Sequence, residues 1–242
     1  MSSLRIDLRK ILYVLEALAF LNGPVAAHAA FNMGLLTNTL SSDHVRQKEA
    51  ARSMNRQIFA PAAPNAPSAT ATDFTYRYNR TRTQQNLRTF VDKSPTAEAK
   101  ADMEKMIADQ PTLMDDLRTG IKPYGLDTHN VADADAFWMI NAWLVANKRD
   151  EDPGRGTIAI VKRQVRNAFS ATPEFANASD ADRQQYAEAL LLQGTMLSSA
   201  FEQWQRKPEQ IDQLADAALK GAEASGLDLS KMTLTRNGFV PL

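Results

Sequence analysis

The sequence predicts an all-α fold, a compact bundle of about seven helices with an extended N-terminal arm and an extended C-terminal tail. Three observations support this prediction. From about residue 83 onward, apolar residues recur at the spacing of a helix face. Helix-capping residues and short turns with Gly, Pro or Asn separate these segments, so successive helices should run antiparallel. Apolar residues make up 44% of the 242 residues, which is enough to form a buried core.

The first 29 residues have the three parts of a signal peptide. A basic start precedes the apolar run 11–21 (ILYVLEALAFL), which is too short to span a bilayer. Small residues then favour cleavage after Ala29, with cleavage after Ala27 as the second choice. Glu16 interrupts the apolar run, so a retained amphipathic helix is the alternative. We expect an exported protein, periplasmic or secreted, with no transmembrane segment in the mature chain.

We predict that residues 30–82 form an arm that precedes the helical domain 83–242. Its segment 60–72 (APAAPNAPSATAT) has prolines at every third position, the period of a polyproline II turn, and is interpreted as a flexible linker. Residues 73–82 alternate as in an extended strand, which places three aromatic side chains on one side: Phe74, Tyr76 and Tyr78.

Aromatic residues interleaved with arginines could stack on the bases of a single-stranded nucleic acid. The alternative is that the three rings pack on the helical body while the arginines stay in solvent. We favour this alternative because no second basic stripe completes a groove. The chain also has 28 basic and 28 acidic residues, and a neutral chain is not a general nucleic-acid binder. No nucleic-acid partner is expected.

The two charge signs are unevenly distributed along the chain. Residues 30–93 contain 9 Lys or Arg and 4 Asp or Glu, whereas residues 94–242 contain 16 and 22. A basic arm on an acidic body predicts that the arm docks on its own body or on an acidic partner.

Caps and apolar spacing predict the helices in order. The first runs over about 84–91, and Ser94 with Pro95 caps the second. The remaining helices are predicted from these signals: Pro111 at the start of the third and Gly125 at its end, an Asn130 cap for the fourth, Asp152-Pro153 for the fifth, a Ser179 cap for the sixth, and Pro208 for the seventh, which stops near Gly226.

Two segments, 136–146 and 186–200, are apolar on nearly every side, which is typical of helices surrounded by other helices. They are predicted to form the centre of the bundle. Polar groups inside them need partners, because an unpaired buried amide costs about 1–3 kcal/mol. We therefore expect Asn141 to hydrogen-bond across to the second segment, through Glu188 or Gln193.

The same polar residues are the candidate site. In the functional interpretation, Glu188 is a general acid and Asp133 or Asn141 orients a substrate. In the structural interpretation, they form a satisfied network that fixes helix register. We favour the structural one, because core networks also collect such residues.

Several kinds of chemistry have no support in the sequence. There is no cysteine, which excludes disulfides and thiolate sites. After signal removal only His44 and His129 remain, without the spacing of a metal site, and the acidic run 150–152 lacks the pattern of a calcium loop. No nucleophile-elbow, phosphate-loop or dinucleotide motif occurs. We expect no metal and no cofactor, and the sequence favours a non-enzyme while leaving enzymatic activity open.

Several short motifs resemble those of an uncharacterised bacterial family of exported proteins, over about residues 76–240. They are YGL at 124–126, NVADA at 130–134, Trp138, NAW at 141–143, AEAL at 187–190, GLDL at 226–229, MTLT at 232–235 and GF at 238–239. The resemblance implies a signal peptide and a helical body, and it implies no activity. It also marks Asp133, Asn141 and Glu188 as positions that match family motifs.

The function expected from these observations is an exported, non-enzymatic interaction or binding protein for an unknown protein or envelope component. One alternative is a cell-envelope hydrolase, whose Glu188 and Asp133 carboxylates would lie roughly 5–9.5 Å apart at an open cleft. Another is a carrier of a small apolar ligand, which would need an internal cavity of roughly 300 Å³ or more.

Overall fold

The computed structural model describes residues 52–56, 58, 73–94, 96–172, 175 and 177–242. The predicted signal peptide, the linker 60–72 and His44 lie outside the described residues. Seven α-helices can be bounded at both ends within the described part of the chain, and a two-stranded hairpin follows them. These elements are α1 Arg80–Asp92, α2 Ala97–Asp109, α3 Leu113–Ile121, α4 Val131–Ala146, α5 Gly154–Ser170, α6 Asp180–Trp204, α7 Pro208–Ala224, β1 Met232–Thr235 and β2 Gly238–Pro241. The all-α prediction is confirmed.

The helix α4 is the centre of the bundle. It packs against α5, α6 and α7, and most of its residues are buried. Trp138 and Trp143 are 3% and 2% exposed, and both lie in the segment predicted to be central. Along α6, Leu191 and Leu197 are fully buried. The two helices without a polar face therefore lie side by side, as their composition predicts.

The helices α4 and α6 run in the same direction. The backbone N–H of Val131, at the start of α4, donates to the carbonyl of Phe74 (3.0 Å). Arg183, in the first turn of α6, donates through Nη1 to the carbonyl of Thr75 (3.0 Å). Because the one extended segment 73–79 binds both starts, the N-terminal ends of the two central helices lie together.

The aromatic side chains of segment 73–79 pack on the helical body, as the favoured alternative predicts. Phe74 and Tyr76 are buried, and Tyr78 is half-buried. The extended stretch ends earlier than predicted, because Asn79 accepts a hydrogen bond from the backbone of Arg82 (3.0 Å) and so caps α1. The first helix consequently begins at Arg80.

Most caps lie at the predicted residues. The side chain of Asn130 caps α4, and Ser179 forms a capping box with Asp182 at the start of α6. Two further predicted starts are wrong by two residues. Thr96 rather than Ser94 caps α2, by accepting the N–H of Ala99 (3.1 Å), and α3 begins at Leu113 rather than at Pro111.

The C-terminal tail is extended, as predicted, and folds back as an antiparallel hairpin. Its register pairs Met232 with Pro241. Gln164 of α5 binds the hairpin backbone twice, donating to the carbonyl of Phe239 (2.7 Å) and accepting its N–H (3.0 Å). The indole of Trp143 donates to the carbonyl of Met232 (3.0 Å). These bonds attach the hairpin to α4 and α5.

A helical segment of the arm, residues 52–56, also contacts the body. Met54 and Ile58 are buried, and Asn55 Nδ2 donates to the carbonyl of Gly226 (2.7 Å), just beyond α7. This part of the basic arm therefore docks on its own chain, which is one of the two predicted alternatives.

Among the described helices, none combines the length with the apolar composition required to cross a bilayer.

Candidate functional site

Glu188 lies on the side of α6 that faces α1 and is 2% exposed. Its Oε1 accepts hydrogen bonds from Thr83 Oγ1 (2.6 Å) and Gln184 Nε2 (2.9 Å), and its Oε2 accepts one from Asn86 Nδ2 (2.6 Å). Burial raises the pKa of the Glu188 carboxyl, and these three hydrogen bonds oppose the rise. Since every neighbour donates, the carboxyl group acts only as an acceptor in this network.

Gln184 extends the same network to the start of α1. Its Nε2 donates to the carbonyl of Asn79 (2.8 Å), and its Oε1 accepts the N–H of Asn79 (3.0 Å). The side chains of Gln184 and Glu188, one helical turn apart, therefore fix α1 against α6. This arrangement matches the structural interpretation of Glu188, a satisfied network that sets helix register.

Asp133 belongs to a different network, in the first turn of α4. Its Oδ2 accepts hydrogen bonds from Lys162 Nζ (2.7 Å) and from the backbone N–H of Asp127 (2.9 Å). Lys162 also donates to the carbonyl of Gly125 (2.6 Å). Burial raises the pKa of the Asp133 carboxyl, and the bond from Lys162 opposes the rise. The Oδ1 atom is buried without a hydrogen-bond partner among the described residues.

The predicted hydrogen bond from Asn141 to α6 is wrong. Asn141 Nδ2 donates instead to the carbonyl of Phe137 in its own helix (2.8 Å), because an asparagine can reach back to the carbonyl four residues earlier. Gln193, the other expected partner, is 2% exposed, and neither polar atom of its side chain has a partner within the described part of the chain. The only cross-helix partners of Glu188 in that part are on α1.

The three candidate residues therefore do not form one polar site. The Glu188 and Asp133 networks share no residue, and both carboxylates are enclosed by protein. Asn141 is half-buried and bound to its own backbone. The sequence identified two carboxyl groups with perturbed pKa values, and the structure assigns each of them intramolecular partners.

The sequence interpretation missed Asp135, which is half-buried on α4. Burial raises the pKa of its carboxyl to about 7, and the carboxyl has no hydrogen-bond or ion-pair partner among the described residues. Burial and the charge of Asp135 both raise the pKa of Tyr186 on α6. The ring of Tyr186 packs against Phe169 and Phe175. The sequence signal for such a buried carboxyl group is an aspartate within a helix whose other residues are nearly all apolar.

A second group that the sequence did not bring together lies nearer the surface. The ring of Tyr78 stacks on the imidazole of His129, with centroids 5.1 Å apart and planes at 20°. The guanidinium carbon of Arg118 lies 5.3 Å from the centroid of the Tyr78 ring. Arg118 Nη2 is 3.0 Å from His129 Nε2. We call these three residues the Tyr78–Arg118–His129 cluster.

The electrostatics of this cluster favour a neutral imidazole. Burial, followed by the charge of Arg118, lowers the pKa of His129, while Asp127 and Asp115 act in the opposite direction. A neutral ring accepts the Arg118 hydrogen bond at Nε2 and holds its own proton at Nδ1. The cluster joins three separate elements: the segment 73–79, α3 and the turn before α4. It therefore braces the end of the bundle at which α4 and α6 begin.

A metal site finds no support in these arrangements. Within the described ranges, no three His, Cys, Asp or Glu side chains are placed to hold a metal ion together. Lys162 neutralises the Asp133 carboxylate, and Arg118 occupies the Nε2 atom of His129.

No curated protein matches the chain, and no solved structure matches it. The resemblance to an uncharacterised family is confirmed. A model of the family of unknown function DUF6683 matches residues 22–241, and the chain therefore belongs to that family.

Proposed function

We propose that this chain is an exported, non-enzymatic interaction protein that acts in the periplasm or outside the cell on an envelope component or another protein. One observation supports it above all. The two carboxyl groups that the sequence marks as candidates for acid–base chemistry, Glu188 and Asp133, are both enclosed and bound inside structural networks. A general acid or base has to reach its substrate within hydrogen-bond distance, and an enclosed carboxylate with fixed partners does not.

The export part of the proposal rests on the leader sequence alone. A charged start, an apolar run and small residues before Ala29 are the features that signal peptidases recognise. The test is an intact mass of the protein recovered from the periplasm and the medium. We expect a chain that lacks residues 1–29 or 1–27. A chain of full-length mass in the cytoplasmic fraction would exclude export.

The non-enzymatic part is tested against the hydrolase alternative. The protein and its Glu188→Gln and Asp133→Asn variants are incubated with cell-wall fragments and with chromogenic glycosides and esters. We expect no turnover that depends on either carboxyl group. Turnover that disappears in Glu188→Gln while the circular dichroism spectrum and the melting temperature are retained would support the hydrolase alternative instead.

The interaction part is tested by chemical crosslinking in cells that express the tagged protein. We expect a recurrent crosslinked partner, attached to side chains on the outer faces of the helices. Crosslinks confined to residues of the two buried networks would contradict the proposal, since those side chains are not accessible in the folded chain.

A further inference from the structure

One helix face differs in charge from the rest of the body. The helix α5 contains four basic residues and no acidic residue, although residues 94–242 as a whole have more acidic than basic side chains. Arg155, Lys162 and Arg166 are spaced by seven and four residues, which places them on one line along the helix. Arg163 lies beside that line.

Apart from Lys162, which reaches Asp133 on α4, these basic residues lie on the outer side of α5. The opposite side of α5 is buried, through Ile158, Val161 and Val165 among others. Arg155 and Arg163 are exposed. The remaining residues of the outward arc are small: Gly156, Ala159, Asn167 and Ser170. We call this arc the basic face of α5. Between Arg155 and Arg166 it is roughly 16 Å long, at 1.5 Å per residue.

Most of these charges have no partner among the described residues. Lys162 is held by Asp133 (2.7 Å). Arg155 and Arg163 form no ion pair with any described residue, and Arg166 influences the exposed Asp73 only at a distance. Other helices have exposed basic side chains that are paired, such as Lys148, which binds Asp212 on α7. The basic face therefore keeps three arginines available to an external anion.

We infer that the basic face of α5 binds the surface of a membrane that contains anionic phospholipids. This inference rests on the proposed function. Guanidinium groups fit phosphate oxygens two at a time, and three of them on the outer side of one helix fit a planar array of phosphates. The small residues between them allow lipid headgroups to approach. No large apolar side chain on this face is exposed, so the contact is electrostatic, without insertion into the lipid.

Other anionic partners fit this face less well. It has no aromatic side chain on which nucleic-acid bases could stack, and it lacks the apolar anchor that protein interfaces use. The acidic run 150–152 lies just before α5 and is exposed. Because that run repels anionic lipid, Arg163 and Arg166 should contribute more to binding than Arg155.

The test is co-sedimentation of the protein with lipid vesicles at low salt. The protein is used in the form that the intact-mass experiment identifies. We expect binding to vesicles of phosphatidylglycerol and phosphatidylcholine, weak binding to phosphatidylcholine alone, and release at high salt. Each basic side chain near an anionic surface strengthens binding about fivefold. The triple variant R155Q/R163Q/R166Q should therefore bind on the order of 100-fold more weakly.

The matched control is R77Q/R80Q/R88Q, which removes the same charge from exposed arginines on segment 73–79 and α1. It should retain most of the binding, and both variants should keep the melting temperature of the parent. Equal losses in the two variants, or no binding by the parent, would overturn the inference. So would α5-dependent binding to duplex DNA or to an acidic polysaccharide without binding to vesicles. A failure of export would appear in the intact-mass experiment, and it would not change the vesicle binding measured here.

Discussion

Gly194 of α6 lies directly against the ring of Phe137 on α4. A Cβ atom at Gly194 would lie 2.8 Å from Phe137 Cε1 and 3.3 Å from the Cα of Trp138. The backbones of the two central helices therefore approach closely at this point, and only a residue without a side chain fits there. The position of this contact determines which side chains of α4 and α6 face each other.

The first prediction concerns this contact. Gly194→Val should lower the free energy of unfolding by about 2–3 kcal/mol, because the new methyl groups overlap the Phe137 ring and the Trp138 backbone. Urea unfolding followed by circular dichroism measures the change. Gly156→Ala is the control, since a Cβ at Gly156 meets nothing within 4 Å. It should stabilise the protein by about 0.5–1 kcal/mol. Equal effects at the two glycines would contradict the close approach.

The second prediction concerns the buried amide of Gln193, whose polar atoms have no partner among the described residues. Gln193→Leu should raise the free energy of unfolding by about 1–3 kcal/mol, because a buried unpaired amide is replaced by an apolar group of similar size. Thermal and urea unfolding give the value. The matched variant Gln184→Leu should destabilise the protein, since that amide binds Asn79 and Glu188. Destabilisation by Gln193→Leu would mean that the amide is paired.

The third prediction concerns Glu188. Glu188→Ala should cost about 3 kcal/mol or more in the free energy of unfolding, because it removes the shared acceptor of Thr83, Asn86 and Gln184 and leaves the buried Asn86 amide unpaired. The control is Glu223→Ala on the exposed side of α7, which should change the stability by less than about 0.5 kcal/mol. A small effect at Glu188 would show that the network does not hold α1 on α6.

The fourth prediction concerns pH and Asp135. In the folded chain this carboxyl keeps its proton up to a pKa of about 7, whereas an unfolded aspartate releases it near 3.9. The folded state therefore loses stability as pH rises from about 4 to 7, and the loss is constant above that range. Asp135→Asn should be more stable than the parent at pH 8, with a difference that disappears towards pH 4.

Urea unfolding at pH 4, 6 and 8 measures this difference. Asp216→Asn, which changes an exposed aspartate on α7, controls for the loss of one charge. A gain for Asp135→Asn that is the same at all three pH values would show that the carboxyl is already ionised in the folded chain at pH 4.

Much of the fold follows from local signals. Asn130, Ser179 and Pro208 begin their helices where capping and proline rules place them, since these effects depend on a few neighbouring residues. The central position of α4 follows equally from composition, because a helix without a polar face has to be surrounded.

The candidate site was less accessible to prediction. The expected partner of Asn141 depends on how α4 and α6 are rotated against each other, and the close approach at Gly194 fixes that rotation. The Tyr78–Arg118–His129 cluster joins residues up to 51 positions apart on three elements, and no local pattern predicts their meeting. Sequence patterns thus identified polar residues that are buried, and the tertiary packing decided their partners.

The hydrogen bond between Asn55 and Gly226 joins positions 171 residues apart and has a consequence for the order of folding. During synthesis, the segment that contains Met54 leaves the ribosome long before the end of α7 exists to receive it. Its apolar side chains therefore lack this docking surface until the chain has been synthesised as far as residue 226. Docking of this first segment is consequently a late step, and a nascent chain that stops short of residue 226 cannot complete it.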